Sequence, residues 1–503
     1  MPMPRLSTVP LLVILMGVSA LLMYLPAFHA FGLRQYAVAR PFFYGGTVTL
    51  AVTAMVALAT ANRLPSIRPR GHLGTLVGAY IILPMILALP LHQALADTSL
   101  LNAWFEMVSS LTTTGATVYE PEFRLAPSLH LWRALVGWMG GLFILVTAMA
   151  ILTPLNLGGA EVITGRAPGG GRNDVRIADP SMRILRQFLT IFPVYAGLTL
   201  ILWALLAMAG DSAFVAACHA MATMSSSGIS PIGGVAGAAS GITGEILVFG
   251  FFFFAVTRSL LPGAALTQDA PSLRTDPELR MALIIVASVT VLLILRRLVW
   301  VFEPDPTFGV IALLQAAWGV AFTSLSLLTT NGFVSNDWAE ARLWSGLGAP
   351  GLLLAGLAMM GGGIATTAGG IKLLRIYALI RHGERQLERQ VHPSSIGGAG
   401  NEARRLRREG AYLAWIFFVL FGLSVGLVCA ILTLTGQEIE PALLFSIASL
   451  TNTGPLPGIS GGAGFAYASL DGVAKVVCAI AMVIGRVETL AILVLLTPDR
   501  WRD

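Results

Sequence analysis

Charge is scarce in this chain. Only 12% of its 503 residues are Asp, Glu, Lys or Arg, against a hydrophobic fraction of 55%, whereas soluble domains carry roughly 25% charged residues. The deficit excludes a soluble globular protein, and no long polar stretch is present that could fold as a separate soluble domain. Cysteine is scarcer still. Cys218, Cys429 and Cys478 lie in apolar segments without metal-ligand spacing, and they read as small buried hydrophobes rather than a disulfide framework or metal site. Nucleotide signatures are missing. There is no GxxxxGK[ST] loop and no GxGxxG after a strand, and Gly169-Gly170-Gly171-Arg172 opens no helix, so the chain is expected to bind no nucleotide itself. There is no HExxH. Gly458-Ile459-Ser460-Gly461 matches the GxSG of intramembrane serine proteases, a remote alternative. That chemistry needs a histidine base following the serine, and the seven histidines all precede Ser460. No enzyme is therefore expected. The net charge of +6 is mostly arginine gathered in particular loops, and it calls for no nucleic-acid partner.

What the chain has instead is a succession of apolar runs with a mean hydropathy of +0.77. A spanning helix needs about 20 apolar residues. Ten spans are expected, near 9–31, 41–61, 73–95, 131–153, 187–209, 244–266, 280–300, 347–377, 410–434 and 473–497. The chain opens Met-Pro-Met-Pro-Arg and lacks a convincing cleavage site, so an uncleaved first span is expected rather than a signal peptide.

Four further apolar segments, 98–111, 213–224, 314–328 and 439–450, read as too short to cross. Each leads into three small polar residues and a glycine: Thr112-Thr113-Thr114-Gly115, Ser225-Ser226-Ser227-Gly228, Thr329-Thr330-Asn331-Gly332 and Thr451-Asn452-Thr453-Gly454. Four residues before each glycine stands Leu111, Met224, Leu328 or Leu450, and six before stands Ser109, Ala222, Ser326 or Ala448. Recurrence at four matching places marks internal repetition. The expected fold class is an all-α integral membrane protein. Two extra N-terminal helices (1–70) precede four pseudo-symmetric helix–short helix–helix repeats, 71–160, 161–270, 271–400 and 401–503. Re-entrant segments are tolerated at membrane depth only where they are buried in protein or line a wet cavity.

Orientation follows from the basic residues. They collect in 62–72 (Arg63, Arg68, Arg70), in 164–186 (Arg166, Arg172, Arg176, Arg183, Arg186) and in 372–408, while 229–244 and 455–470 have none. The positive-inside rule then puts both termini in the cytoplasm and the quartets near the outside. Arg34, Arg40, Arg296 and Arg297 fall on the opposite side as a minority.

The quartets suit an ion filter. A bare cation in hydrocarbon is prohibitive, and rings of backbone carbonyls replace its water without adding net charge. Glycine tolerates the positive φ needed to turn successive carbonyls inward, and Thr or Ser hydroxyls can bond behind such a ring. A lone quartet would read as an ordinary turn or helix C-cap.

These motifs resemble the Trk/Ktr/HKT superfamily of potassium transporters, most of all its bacterial Trk membrane subunits, over nearly the whole chain. The likeness extends to Met360-Gly361-Gly362-Gly363-Ile364-Ala365-Thr366-Thr367-Ala368-Gly369-Gly370-Ile371-Lys372, to Trp138-Met139-Gly140-Gly141 and to Gly485-Arg486-Val487-Glu488 through Leu495-Leu496-Thr497-Pro498. It implies four helix–pore helix–helix units around one potassium pathway, in the inner (cytoplasmic) membrane, with two subunits in a dimer. Potassium is then the ion held at all four quartets. Plant relatives that move sodium carry serine at the first glycine position, so Gly115 favours potassium. Three places depart from the family pattern: the serine-rich second quartet, Asn331, and Arg258 where a Gly-Gly stretch is common.

Gly361–Gly370 packs five glycines into an apolar run. Each glycine costs a helix about 1 kcal/mol relative to alanine, so the stretch is expected to unwind, unless its small residues serve close helix packing. The resemblance implies a gating loop built from Gly361, Gly362, Gly363, Thr366, Thr367, Gly369 and Gly370. Arg486 lies inside the last span, where a charge is costly and presumptively functional. The resemblance implies that it is a cavity charge that repels cations or pins the loop; the alternative reading is one half of a salt bridge. Lys372 reads as a cavity charge or a snorkelling anchor. Segment 381–408 reads as a small cytoplasmic platform, and the resemblance implies that a cytosolic NAD- or ATP-binding regulatory ring docks there. An ion-coupled (H+ or Na+) symporter is the alternative, with Glu106, Glu245 and Glu488 as its candidate titratable groups. His219 and Glu106 otherwise read as packed, hydrogen-bonded residues.

Overall fold

The computed structural model describes residues 10–60, 69–155, 157–159, 162, 180–260, 273–300, 309–392, 408–461 and 465–496. Arg63, Arg68, Arg166, Arg172, Arg176, the 169–172 loop and the platform beyond residue 392 lie outside them. The described residues form helices and connecting turns, with no strand among them.

The N-terminal helices are α1 (Leu11–Leu22), α2 (Tyr24–Gly32) and α3 (Tyr36–Thr60). Four similar blocks follow. In the first, α4 (Pro69–Ala94) leads to the short α5 (Leu100–Leu111) and then to α6 (Pro127–Thr147). In the second, α7 (Pro180–Met208) precedes the short α8 (Ala213–Ser225) and α9 (Gly241–Val256). The third has α10 (Pro277–Trp300), α11 (Val310–Leu328), the small α12 (Trp338–Trp344), α13 (Gly351–Met360) and α14 (Leu373–Val391). The fourth has α15 (Arg408–Leu434), the short α16 (Ile439–Thr451), α17 (Leu456–Ser460), α18 (Gly472–Val487) and α19 (Thr489–Leu496).

Local chemistry sets the helix starts. Ser99 Oγ accepts the Asn102 N–H at 3.2 Å before α5, Ser212 Oγ accepts that of Val215 at 3.3 Å before α8, and Asp471 Oδ1 accepts that of Ala474 at 2.7 Å before α18. Each satisfies a first-turn donor that the helix itself leaves open. α6 begins on Pro127, where the missing N–H costs nothing. The span built on α6 is 89% buried, against 22% for that built on α3. A helix apolar all round belongs in the interior, so α6 lies at the centre and α3 at the periphery.

Eight described helices are long and apolar enough to cross a membrane, and seven coincide with expected spans. The eighth, Val310–Leu328, corrects an expectation. The apolar run of 314–328 extends back to Val310, giving 19 residues. Three expected spans are interrupted. The 244–266 run stops at Val256, where Thr257 turns extended (φ −139°). The 347–377 run stops at Gly361 (φ 72°) and resumes at Leu373, and the last span breaks at Glu488 (φ 73°).

Candidate functional site

Each quartet caps the short helix before it. Its second residue takes left-handed backbone in all four cases: Thr113 (φ 56°), Ser226 (52°), Thr330 (56°) and Asn452 (55°). The N–H of the third residue returns to the carbonyl five residues back: Thr114 to Ser109 at 2.8 Å, Ser227 to Ala222 at 3.0 Å, Asn331 to Ser326 at 2.9 Å, and Thr453 to Ala448 at 2.8 Å. The second residue's N–H bonds Ser110, Thr223, Leu327 or Ser449. This is a Schellman closure, the same backbone cap at each of the four quartets. The expectation that glycine carries the positive φ holds at Gly115 (75°), Gly228 (62°) and Gly332 (80°), but Gly454 is not among the positive-φ residues. A left-handed L-residue costs about 1–2 kcal/mol, and here every quartet carries one.

The hydroxyls tie the caps down. Thr112 Oγ1 bonds Val108 O at 2.8 Å, Ser225 Oγ bonds Met221 O at 2.8 Å, Thr329 Oγ1 bonds Leu325 O at 2.9 Å and Thr451 Oγ1 bonds Ile447 O at 2.7 Å. First and third hydroxyls also meet in three quartets, Thr112–Thr114 at 2.8 Å, Ser225–Ser227 at 3.0 Å and Thr451–Thr453 at 3.1 Å. Asn331 breaks that pattern, and its Nδ2 instead donates to Thr223 O of α8 at 3.4 Å.

The quartets touch in cyclic order. A Cβ on Gly115 would run into the Ser227 carbonyl oxygen, and one on Gly228 into that of Asn331. One on Gly332 would lie 2.8 Å from Pro455 Cγ, beside the fourth quartet. The ring closes where the Gly454 N–H donates to Thr114 O at 2.6 Å. Asn452 Nδ2 reinforces that join, with Thr114 Oγ1 at 3.0 Å and Met482 O at 2.9 Å. All four glycines line one vestibule of about 620 Å³, whose wall also carries Glu120, Glu122, Arg133 and Arg342.

One register position braces the loops leaving the ring. Nine residues before each glycine stand Glu106, His219, Thr323 and Phe445. Glu106 Oε2 accepts the Val118 N–H at 3.1 Å while Oε1 pairs with Arg133. His219 Nε2 lies 2.8 Å from Ser230 Oγ, Thr323 Oγ1 accepts the Ser335 N–H at 3.4 Å, and the Phe445 ring packs on Tyr467 with centroids 4.8 Å apart. Glu106 and His219 are packed and hydrogen-bonded, as the sequence suggested, but their common place nine residues before the glycine went unnoticed. Their shared register was the available signal. Two motif glycines meet the same short helices. A Cβ on Gly140 would lie 2.8 Å from the carbonyl carbon of Leu111, and one on Gly485 2.7 Å from that of Leu450.

The glycine-rich stretch is non-helical from Gly361 to Lys372 and lies against the first and second residues of three quartets. Thr367 Oγ1 bonds Ser226 Oγ, the Gly369 N–H donates to Thr330 Oγ1 at 2.8 Å, and a Cβ on Gly369 would collide with Thr451 O. Its base is closed by Gly361 and Gly370 (φ 77°), so tightly that a Cβ on Gly370 would lie 2.6 Å from Gly361 Cα. Within it, Thr366 Oγ1 donates to Gly363 O at 2.7 Å and the Leu373 N–H to Gly362 O at 3.0 Å. Arg486, buried, donates from Nη1 to Thr367 O at 2.7 Å. It therefore holds the stretch directly, while Glu488 pairs with Arg375 at 2.8 Å. Lys372 is buried with Nζ on Ala368 O and does not snorkel. Ser460 bonds Leu456 O at 2.8 Å within its own helix.

A family model for cation transport proteins, TrkH, matches residues 39–234 and 246–500. The Trk system potassium uptake protein TrkH of Salmonella typhimurium is 30% identical over 467 residues, covering 90% of this chain and 92% of the relative. TrkG of Escherichia coli, also named a Trk system potassium uptake protein, is 27% identical over 443 residues, covering 87% and 86%. The crystal structure of the potassium transporter TrkH from Vibrio parahaemolyticus superposes with a TM-score of 0.78 at 26% identity, covering 99% of each chain. The chain belongs to the TrkH family of cation transport proteins and is a multi-pass membrane transport protein, not an enzyme.

Proposed function

We propose that this protein takes potassium into the cell through a selectivity filter made of its four quartets, gated by the 361–372 segment. The observation that carries the reading is the cyclic run of contacts through the four quartets, with Pro455 joining the third to the fourth, around one vestibule. Removing a cation from water costs tens of kcal/mol unless oxygens replace its hydration shell. A ring of peptide carbonyls supplies them at no net charge, and the four helix C-termini add partial negative charge. The relatives, which are potassium uptake proteins, support the same cargo.

In this reading the stretch from Gly361 to Lys372 occludes the pathway on the inner side of the filter. Arg486 and Lys372 hold it there and add positive charge that repels an entering cation. The vestibule faces outside and both termini lie in the cytoplasm, following the arginine distribution. The protein works as a homodimer whose 381–408 platform receives a cytosolic nucleotide-binding regulator. Passive conduction is favoured over ion-coupled symport because each candidate carboxylate is already engaged. Glu106 holds Arg133 and Val118. Glu245 accepts from Trp318 Nε1 at 2.8 Å, Ser335 Oγ at 2.6 Å and the Asn336 N–H at 2.7 Å. Glu488 holds Arg375 and the Gly158 N–H at 3.2 Å.

The test is rubidium and sodium uptake by purified protein in proteoliposomes, wild type against Gly115→Ser, with and without a pH gradient. The expected result is rubidium uptake that follows membrane potential alone and a loss of preference over sodium in the variant. Robust sodium permeation in wild type, unchanged by the substitution, sinks the filter assignment, and uphill uptake driven by the pH gradient sinks conduction.

A further inference from the structure

The segment from Gly361 to Lys372 is held from a second side by groups the sequence did not single out. Glu278, near the start of α10 and 5% exposed, accepts the Ile364 N–H at 2.8 Å. One residue earlier, the Gly363 N–H donates to Ala255 O near the end of α9 at 3.0 Å. A Cβ on Gly363 would lie 3.1 Å from the other Glu278 carboxylate oxygen. The carboxylate is itself anchored. The Glu278 N–H donates to Asp276 Oδ1 at 2.9 Å, and Asp276 Oδ2 accepts from Thr257 Oγ1 and, at 3.0 Å, from Ser259 Oγ. The Arg258 guanidinium lies close enough to both carboxylates to interact with them electrostatically, without a direct ion pair to either among the described residues. Residues 255–259, 276–278 and 363–364 thus form one knot, while Arg486 and Lys372 hold the stretch at Thr367 and Ala368.

We propose that Glu278 is a positioning residue for gating: it latches the Ile364 N–H and so holds the segment shut against α9, opposite the Arg486 contact, and opening requires its release. This rests on the gating reading above. The chemistry explains why a carboxylate stands there. A hydrogen bond to a charged acceptor is roughly twice as strong as a neutral one, and an N–H released into a dry interior is costly until it finds another partner. Arg258 supplies the counter-charge without which a buried carboxylate would destabilise the fold. Its place in the helix break after α9, a departure from the family pattern, thereby gains a role.

Rubidium flux through the full-length protein in proteoliposomes tests this with three variants, each first checked for monodisperse elution. Glu278→Ala is expected to raise flux roughly tenfold, the value of a charge-assisted bond to a backbone donor. Glu278→Gln keeps the shape and a weaker acceptor, and it is expected to raise flux about threefold. Arg486→Ala reports on the gate independently. If Arg486→Ala raises flux and neither Glu278 variant does, the latch is overturned and the gate stands. If no variant raises flux, the gating reading falls and takes the latch with it. A Gln variant that conducts as much as the Ala variant also overturns the latch, because the accepted bond would then not matter. Should the Ala variant fail to fold, the Gln variant decides alone: flux at or below wild type overturns the proposal.

Discussion

Replacing Gly140 by alanine sets helix propensity against packing, and the structure says which wins. In isolation the change favours α6 by about 1 kcal/mol. Here the new Cβ would lie 2.8 Å from the Leu111 carbonyl carbon and nearer still to its oxygen. Non-bonded carbons rest at about 3.5–4.0 Å, so the end of α5 must retreat by roughly an ångström. Overpacking of this kind costs about 1–3 kcal/mol, which offsets the propensity gain and leaves a modest net loss of stability. Function suffers more, because Leu111 adjoins Thr112. The displacement passes into the first quartet and, through the Gly115–Ser227 contact, into the second. With the quartets as the proposed filter, rubidium uptake in proteoliposomes is expected to fall roughly tenfold or more, since a carbonyl ring must match the ion's lost hydration shell. Gly485→Ala, against Leu450, should behave alike. Gly78→Ala is the control. A Cβ there meets nothing within 4 Å, so it should leave flux unchanged and add up to about 1 kcal/mol of stability. A Gly140→Ala protein that melts above wild type and transports at the wild-type rate refutes the close-approach argument.

Two further outcomes follow from the buried polar groups. Arg133→Met strands the Glu106 carboxylate, which is fully buried, and should cost about 3–5 kcal/mol. Thermal unfolding in detergent checks it, and adding Glu106→Gln should recover most of the loss. An Arg133→Met protein as stable as wild type would show that the pair is not needed. Asn452→Ala cuts the bonds to Thr114 Oγ1 and Met482 O, each worth about 1 kcal/mol. It should lower both stability and the preference for rubidium over sodium, and unchanged selectivity would count against a brace between the fourth and first quartets.

Much of this arrangement was legible in the residues because it repeats. Four quartets after four apolar runs announced themselves, and the glycines of 361–370 announced a break. What stayed hidden has physical reasons. The braces at Glu106, His219, Thr323 and Phe445 share a position but not a chemistry, so no residue pattern marks them. Contacts such as Asn452 with Thr114, or Glu278 with Ile364, join residues far apart in the chain, and local periodicity carries no trace of them. The left-handed second residue was missed because Thr, Ser and Asn there do not advertise positive φ as glycine does. The length of α11 was missed because apolar residues grade into its start without a stop signal.

Threading the ring from a single polypeptide also has a genetic consequence. A ring of four identical subunits takes every codon change four times at once, so most changes are ruinous. In this chain a codon change reaches one quadrant and leaves three intact. The result is visible in the brace position, where Glu, His, Thr and Phe serve one purpose, and in Gly454, which keeps a backbone unlike that of its three counterparts. Each quadrant can therefore be altered alone, and saturation mutagenesis of one quadrant at a time should yield graded phenotypes rather than all-or-none loss.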